Sequence, residues 1–262
     1  MSTGEQQGAE GAGAVLHVLG SGSAKAVGNR ANASYLIEGR EGLSLIDCSG
    51  SPAHQILRRG LDLADLRRVF LTHSHTDHVY AMPSLVHSLW MAGLFRDGPL
   101  NVHGPAEALT VARSLLAVFG LEERNITLAW NPLGPGQNVL DLPDSPVTGS
   151  FPVTHAGLDA VGYRVSATVF SGDAVCDRQL EAAVDDTVRA LVVDCGGGTR
   201  GNAGHAGARD IAALVRERPS LAEVHLTHIG FPPAEEGSVL AEFGGTGRAV
   251  RILEDGDRLV LP

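Results

Sequence analysis

The sequence predicts an α/β protein, a central sheet covered by helices, and three observations carry that prediction. Short Val/Leu/Ile-rich runs alternate with segments of helical period along most of the chain. Several of those runs end in a histidine or an aspartate, as strands do when they present groups at one edge of a sheet. Hydrophobic residues make up 44% of the 262, enough material for one large core.

The first thirteen residues, "MSTGEQQGAEGAG", hold neither a basic stretch nor an apolar one. They read as a disordered tail of a cytoplasmic protein, with 14–262 as a single domain. β-like runs follow at Val15–Leu19, Ser34–Glu38 and Leu43–Asp47, and the turn residues "EGREG" between the last two predict an antiparallel meander. Helical spacing covers 52–59, 78–93, 105–119, 178–188, 206–218 and 233–243, and Pro105 after Gly104 is a typical helix opening. Between the helices lie "VFLTH", "LNVHG", "FPVTH", "TVFSGD", "ALVVDCG" and "EVHLTH". The Gly/Pro-rich stretch at 131–146 reads as a surface connection between sheet segments.

Lys+Arg number 20 against 30 Asp+Glu, a formal charge of −10. That balance disfavours capture of long nucleic acids or anionic membranes and leaves a small-molecule substrate as the expected partner. No apolar run approaches the length of a membrane span. Cys48, Cys176 and Cys195 are odd in number and lack C-x-x-C spacing, so they read as small buried residues.

The chemistry concentrates in "THSHTDH", which places three histidines and an aspartate between His73 and His78. His73, His155, Asp173 and His228 each close a β-like run, so a sheet would bring them to one crevice. Imidazole and carboxylate suit zinc, iron or manganese, and the count divides into two sites joined by one carboxylate.

With "VTHAGLDAVGYRV", "FSGDA" and "HLTHIG" downstream, the chain resembles the metallo-β-lactamase-fold hydrolases, a four-layered αββα sandwich of two similar halves. The resemblance implies that His73, His75 and His155 hold one metal, Asp77, His78 and His228 a second, and that Asp173 bridges them. It also implies that Asp47 orients the metal-binding loop. "GSGSA", "NRANAS", "DHVYAMPSLVHSLWMAG" and "GHAGARDIAALV" are most similar to the ribonuclease Z-like branch. There His205 takes the place of a histidine that assists the leaving oxygen, although the branch's His-Ser-Thr is here His205-Ala206-Gly207. His155 and Asp173 lie only 18 positions apart, which leaves no room for the tRNA-gripping arm that this branch inserts between them.

The expected function is therefore a binuclear metal hydrolase, with two divalent ions, zinc first and manganese as the alternative. It would cleave a small phosphodiester through a metal-bridging hydroxide, with Asp77 taking the proton of water and His205 serving the leaving oxygen. A thioesterase or lactonase, and a mononuclear-iron persulfide dioxygenase, are the alternatives. A homodimer follows from the resemblance to the branch. Asp194 reads as structural or as an outer partner of the site, His103 and His225 as satisfied core histidines, and Trp90 and Met91 as core. Lys25, Arg164 and Arg200 are the cations considered for anchoring an anionic group.

Overall fold

The computed structural model describes residues 13–262 apart from 123, 125, 137, 143 and 144. Nearly all of the expected disordered tail, residues 1–12, lies outside the described residues.

The first sheet is built from β1 (Val15–Gly20), β2 (Ser34–Gly39), β3 (Gly42–Ile46), β4 (Leu66–Phe70), β5 (Leu100–Pro105) and β6 (Leu128–Leu133). The second contains β7 (Asn138–Val139), β8 (Val147–Val153), β9 (Ala160–Val165), β10 (Thr168–Phe170), β11 (Ala190–Asp194), β12 (Glu223–Thr227) and β13 (Ala249–Ile252). A last strand, β14 (Arg258–Val260), returns to pair with β1, so each sheet has seven strands. The expected meander of β1, β2 and β3 is antiparallel, and β3 through β6 run parallel. The second sheet repeats the plan: β7 to β10 antiparallel, β10 to β13 parallel.

Period-two alternation explains the layering. Tyr35, Ile37, Ile46 and Phe70 of the first sheet meet Val161, Tyr163, Phe170 and Val192 of the second in one core. The intervening Leu36, Leu45 and Val69 face the other way, against Ile56, Leu85 and Leu116. Those three sit on α1 (Pro52–Arg58), α3 (Met82–Met91) and α4 (Ala106–Val118), with the single-turn α2 (Thr76–Val79) preceding α3. On the far side Leu191, Val193 and Leu226 pack on Leu180, Ile211 and Val239 from α5 (Arg178–Ala183), α6 (Ala208–Arg216) and α7 (Glu236–Ala241). The central parallel strand β11 is buried along its whole length because both of its faces are covered. The result is the expected four-layered αββα sandwich.

Several boundaries differ from the sequence reading. The helix expected at 78–93 is two, α2 and α3, broken at Tyr80 and Ala81. The one expected at 178–188 stops at Ala183, because Val184 leaves helical geometry. A 3-10 turn, Pro233–Glu235, precedes α7. The connection expected at 131–146 is partly strand: 131–133 complete β6, which tolerates Pro132 because it is an edge strand, and Asn138–Val139 form β7. Met91 is 69% exposed rather than core. Cys48 and Cys195 are buried, whereas Cys176 is half-buried.

His103 is buried in β5 and its ring stacks on Phe70, with centroids 4.9 Å apart. It is not a satisfied histidine, since Nε2 has no hydrogen-bond partner; nor is His225, whose Nε2 meets Glu223 at 3.1 Å while Nδ1 has none. Burial, aided by the nearby Arg68, pushes the His103 pKa down to about 4. The unfolded chain then takes up the proton first as pH falls through about 6.5, so the fold loses stability between there and pH 4. His103→Phe should remove roughly 2 kcal/mol of the difference between unfolding free energies at pH 7 and pH 5. Urea titrations at both pH values measure it, and an unchanged difference would refute the assignment.

Candidate metal centre

The C-terminal ends of the parallel strands in both sheets meet at one edge, and hydrogen bonds between the halves fix their alignment there. Tyr163 donates from its hydroxyl to the Leu71 carbonyl at 2.6 Å, Val161 donates its N–H to the Thr72 carbonyl, and the Tyr35 hydroxyl lies 2.6 Å from Thr227 Oγ1. These contacts set β4, β9, β2 and β12 in mutual register just behind the functional side chains.

Left-handed backbone recurs at this edge: at Asp47 after β3 (φ 57°), Ala156 after His155 (φ 46°), Gly172 before Asp173 (φ 59°) and His228 after β12 (φ 56°). For Asp47 and His228 this is a strained choice, on the order of 1 kcal/mol or more each, maintained by the surrounding packing. At Gly172 the conformation suits glycine, and a Cβ would sit 3.1 Å from Thr72 and from the Val161 carbonyl oxygen. The "GSGSA" segment braces the last of these turns. Ser23 donates its N–H to the Ile229 carbonyl, and Ile229 donates to that of Ser21.

Asp173 Oδ2 occupies the middle. It lies 3.1 Å from His228 Nε2, 3.4 Å from His78 Nε2, 3.7 Å from His155 Nε2 and 3.8 Å from His73 Nε2. His73, His75, His155 and Asp173 form one group whose donor atoms all lie within 4.8 Å of one another, and Asp77, His78 and His228 form another. All seven residues that the sequence singled out for metal lie in these two groups, and Asp173 and His228 form a third group with His205.

Ring orientation follows from outer contacts. Thr72 donates to Asp47 and so accepts from His73 Nδ1 at 2.9 Å, which turns the His73 Nε2 lone pair inward. His78 Nδ1 donates to Asp47 at 2.7 Å, and His155 Nδ1 donates to the Gly204 carbonyl at 2.6 Å. His155 Nε2 then faces His75 Nδ1 at 3.0 Å. Asp47 therefore serves one wall of the site, as expected. Asp194, at the end of β11, serves the other: it accepts from Ala174 N–H, Gly196 N–H and His205 Nδ1, and lies 3.5 Å from His228 Nδ1.

The donor set fits a metal. His73 Nε2, His78 Nε2, His228 Nε2 and Asp77 Oδ2 are buried without hydrogen-bond partners, and all four belong to the two groups. Buried polar atoms left this way are rare in folded proteins unless a ligand or ion completes them. Electrostatics agree. Burial disfavours charge on His228, yet Asp173 and Asp194 outweigh it and raise its pKa to about 10. His78 is raised in the same way by Asp173 and Asp47 against its burial. Burial pushes the Asp173 and Asp77 carboxyls up, and the neighbouring His228 and His78 override it and hold both well below the usual range. Burial, helped by the neighbouring His78, pushes His73 down to about 2. The carboxylates at this spot demand cationic charge, and His73 is held neutral with a lone pair to offer.

His205 lies at the mouth, on the loop between β11 and α6. Its ring stacks on His228 at 4.9 Å and its Nδ1 is 2.8 Å from Asp194 Oδ2, which leaves Nε2 as the nitrogen available to a substrate. Burial opposes its protonation, but Asp194 raises its pKa above the ordinary value. The departure at Ala206-Gly207 has a local cause: Ala206 is buried and donates to the Ala174 carbonyl, and a Cβ at Gly207 would collide with the Gly201 nitrogen. Arg164 is no anchor for an anion here, since it is engaged by Asp185, Thr187 and the Ala183 carbonyl. The residue whose importance the sequence understated is Asp194, and its position at a strand end was the available signal.

Residues 27–186 match the metallo-beta-lactamase superfamily, and the chain belongs to it. Within that superfamily it is ribonuclease Z-like. Ribonuclease Z of Bacillus licheniformis is 35% identical over 130 residues, covering 50% of this chain and 40% of the relative. Ribonuclease Z of Parabacteroides distasonis is 30% identical over 151 residues, covering 56% and 48%. The chain thus spans less than half the length of these curated relatives. Among solved structures, the metallo-beta-lactamase fold protein YhfI from Bacillus subtilis superposes with a TM-score of 0.75 at 18% identity, covering 94% of this chain and 99% of that one. A diphosphatase of the PhnP family gives 0.72 at 17% (94% and 97%), and the short form of human tRNase Z gives 0.70 at 15% (95% and 99%). At these identities the structural likeness concerns the fold.

Gly172→Ala should cost about 1–3 kcal/mol, because it combines a left-handed backbone with the contact on Thr72. A fall in melting temperature together with reduced metal per chain is the expected result. Unchanged values of both would mean that the Gly172 turn does not position Asp173.

Proposed function

We propose that the protein is a binuclear metal-dependent phosphodiesterase that acts on small phosphodiesters. The observation that carries this reading is the convergence of buried, unpartnered histidine nitrogens on Asp173 Oδ2. In it, His73, His75 and His155 hold one divalent ion, Asp77, His78 and His228 the other, and Asp173 serves both. Zinc is the expected metal and manganese the alternative, as suits a site of histidines and carboxylates without thiolate. Bound there, such ions supply Lewis acidity, which polarises a phosphoryl oxygen and makes water acidic near neutral pH.

The chain's own residues supply the rest. The Asp77 carboxyl, held ionised, accepts the proton of the attacking water. His205, held by Asp194 through Nδ1, presents Nε2–H to the leaving oxygen. The carboxylate pair Asp47 and Asp194 keeps the rings in the orientation this chemistry needs. Sequence similarity to ribonuclease Z supports cleavage at phosphorus. The span from His155 to Asp173 supports a small substrate: β9 and β10 occupy it, joined only by Ser166 and Ala167, so no arm projects there. The net charge of −10 points the same way. Among the described residues no helix is long and apolar enough to cross a membrane. A cytoplasmic homodimer of single-domain chains completes the reading.

Protein purified without added metal should contain close to two zinc or manganese ions per chain by plasma mass spectrometry and should hydrolyse bis(p-nitrophenyl) phosphate. Replacement of His73, His75 or Asp173 by Ala should lower both readings together. A single iron without turnover, or a variant that loses metal and keeps its rate, would overturn the proposal.

His205 is tested by the leaving group. With an alkyl alkoxide as leaving group, His205→Ala should lower kcat by about 10²–10⁴, the usual contribution of a general acid. With p-nitrophenolate, which departs unprotonated, the loss should be much smaller. An equal loss with both substrates would remove the proton-donor role and leave a structural one.

A further inference from the structure

The helical layer over the first sheet contains a cleft of about 460 Å³, the size of a small-molecule site, which begins at Tyr80 just after α2 and is lined by none of the seven metal-type residues. Pro83, His87 and Trp90 line one wall from a single face of α3, at spacings of four and three residues. Phe119, Leu121 and Arg124 form the other, just beyond α4.

Its chemistry is selective. The His87 and Trp90 rings stack, with centroids 5.6 Å apart and planes within 22° of parallel. The Arg124 guanidinium carbon stands 4.9 Å from the Trp90 ring centroid. Phe119 is 63% exposed on the opposite wall. Among the described residues that line the cleft there is no carboxylate, in a chain with 30 acidic residues to 20 Lys and Arg. Rings on two walls offer stacking and dispersion to a flat ligand, and the guanidinium offers charge to an anionic substituent beside it. We propose that this cleft is a second binding site, separate from the metal centre, for a planar aromatic ligand that carries negative charge.

Trp90 and Trp130 are the two tryptophans of the chain, so Trp130→Phe leaves Trp90 as the sole emitter. Adenosine 5′-monophosphate should quench that emission saturably, adenosine more weakly, and inorganic phosphate not at all. Arg124→Gln should raise the dissociation constant about tenfold. Turnover of bis(p-nitrophenyl) phosphate should be unchanged in Arg124→Gln, because Arg124 has no part in the metal centre. If Trp130→Phe fails to fold, calorimetric titration of the unaltered chain against Trp90→Ala reads the same binding. No quenching up to about millimolar nucleotide, or equal affinity in Arg124→Gln, would overturn the proposal. So would a nucleotide that binds without altering Trp90, as it would at the metal centre or with a second copy of the chain covering the cleft.

Discussion

Asp173 Oδ2 lies within 4.0 Å of five imidazole nitrogens, those of His73, His78, His155, His205 and His228. A fully buried carboxylate survives only where positive charge or donors meet it, because the desolvation of an isolated ion is prohibitive. The rest of this edge of the molecule answers to that requirement. Strand ends from both sheets deliver the histidines, Gly172 turns the chain so that the carboxyl points inward, and His228 accepts a left-handed backbone to reach it. The two halves also orient their side chains in matching ways. Asp47 after β3 holds His78 and, through Thr72, His73; Asp194 at the end of β11 holds His205 and the backbone next to Asp173.

Much of this was legible in the sequence because strand ends and metal-type side chains coincide. "VFLTH", "FPVTH", "FSGD" and "HLTH" each state a strand and its terminal group in one stretch, so periodicity and chemistry point to the same place. The parts that were not legible depend on contacts distant in sequence. β6 was hidden by Asn131 and Pro132, which only an edge position excuses. β9 carries Gly162 and a polar Arg164 and lacks a clean alternation. Trp90 and Met91 sit at positions whose helical spacing reads as core, yet the neighbouring surface leaves Met91 in solvent and Trp90 on the wall of a cleft. Asp194 could be placed at a strand end from sequence alone, but its bond to His205 depends on the fold of the glycine-rich loop between them.

Charge is distributed in the same economical way. The chain is acidic as a whole, yet its functional edge is dominated by imidazoles clustered around a few carboxylates, and Arg164 is engaged elsewhere. A site built like this attracts cations through its own carboxylates and leaves attraction of an anionic substrate to whatever cation it holds. The buried thiols of Cys48 and Cys195 follow Asp47 and Asp194 directly in sequence, and burial raises the pKa of each, so they stay uncharged beside the centre.

The return of β14 to the edge of β1 bears on how the molecule is made. The first sheet is otherwise composed of residues up to Leu133, and the second lies entirely within 138–252, so each could close early if it were self-sufficient. β2 covers one edge of β1, and the other finds its partner only in Arg258–Val260, so that outer edge stays unpaired until those residues are available. An open edge is an invitation to pair with another chain. Once β14 is added, the edge presented on that side of the first sheet is the three-residue β14 rather than the six-residue β1, a shorter template for pairing with another chain.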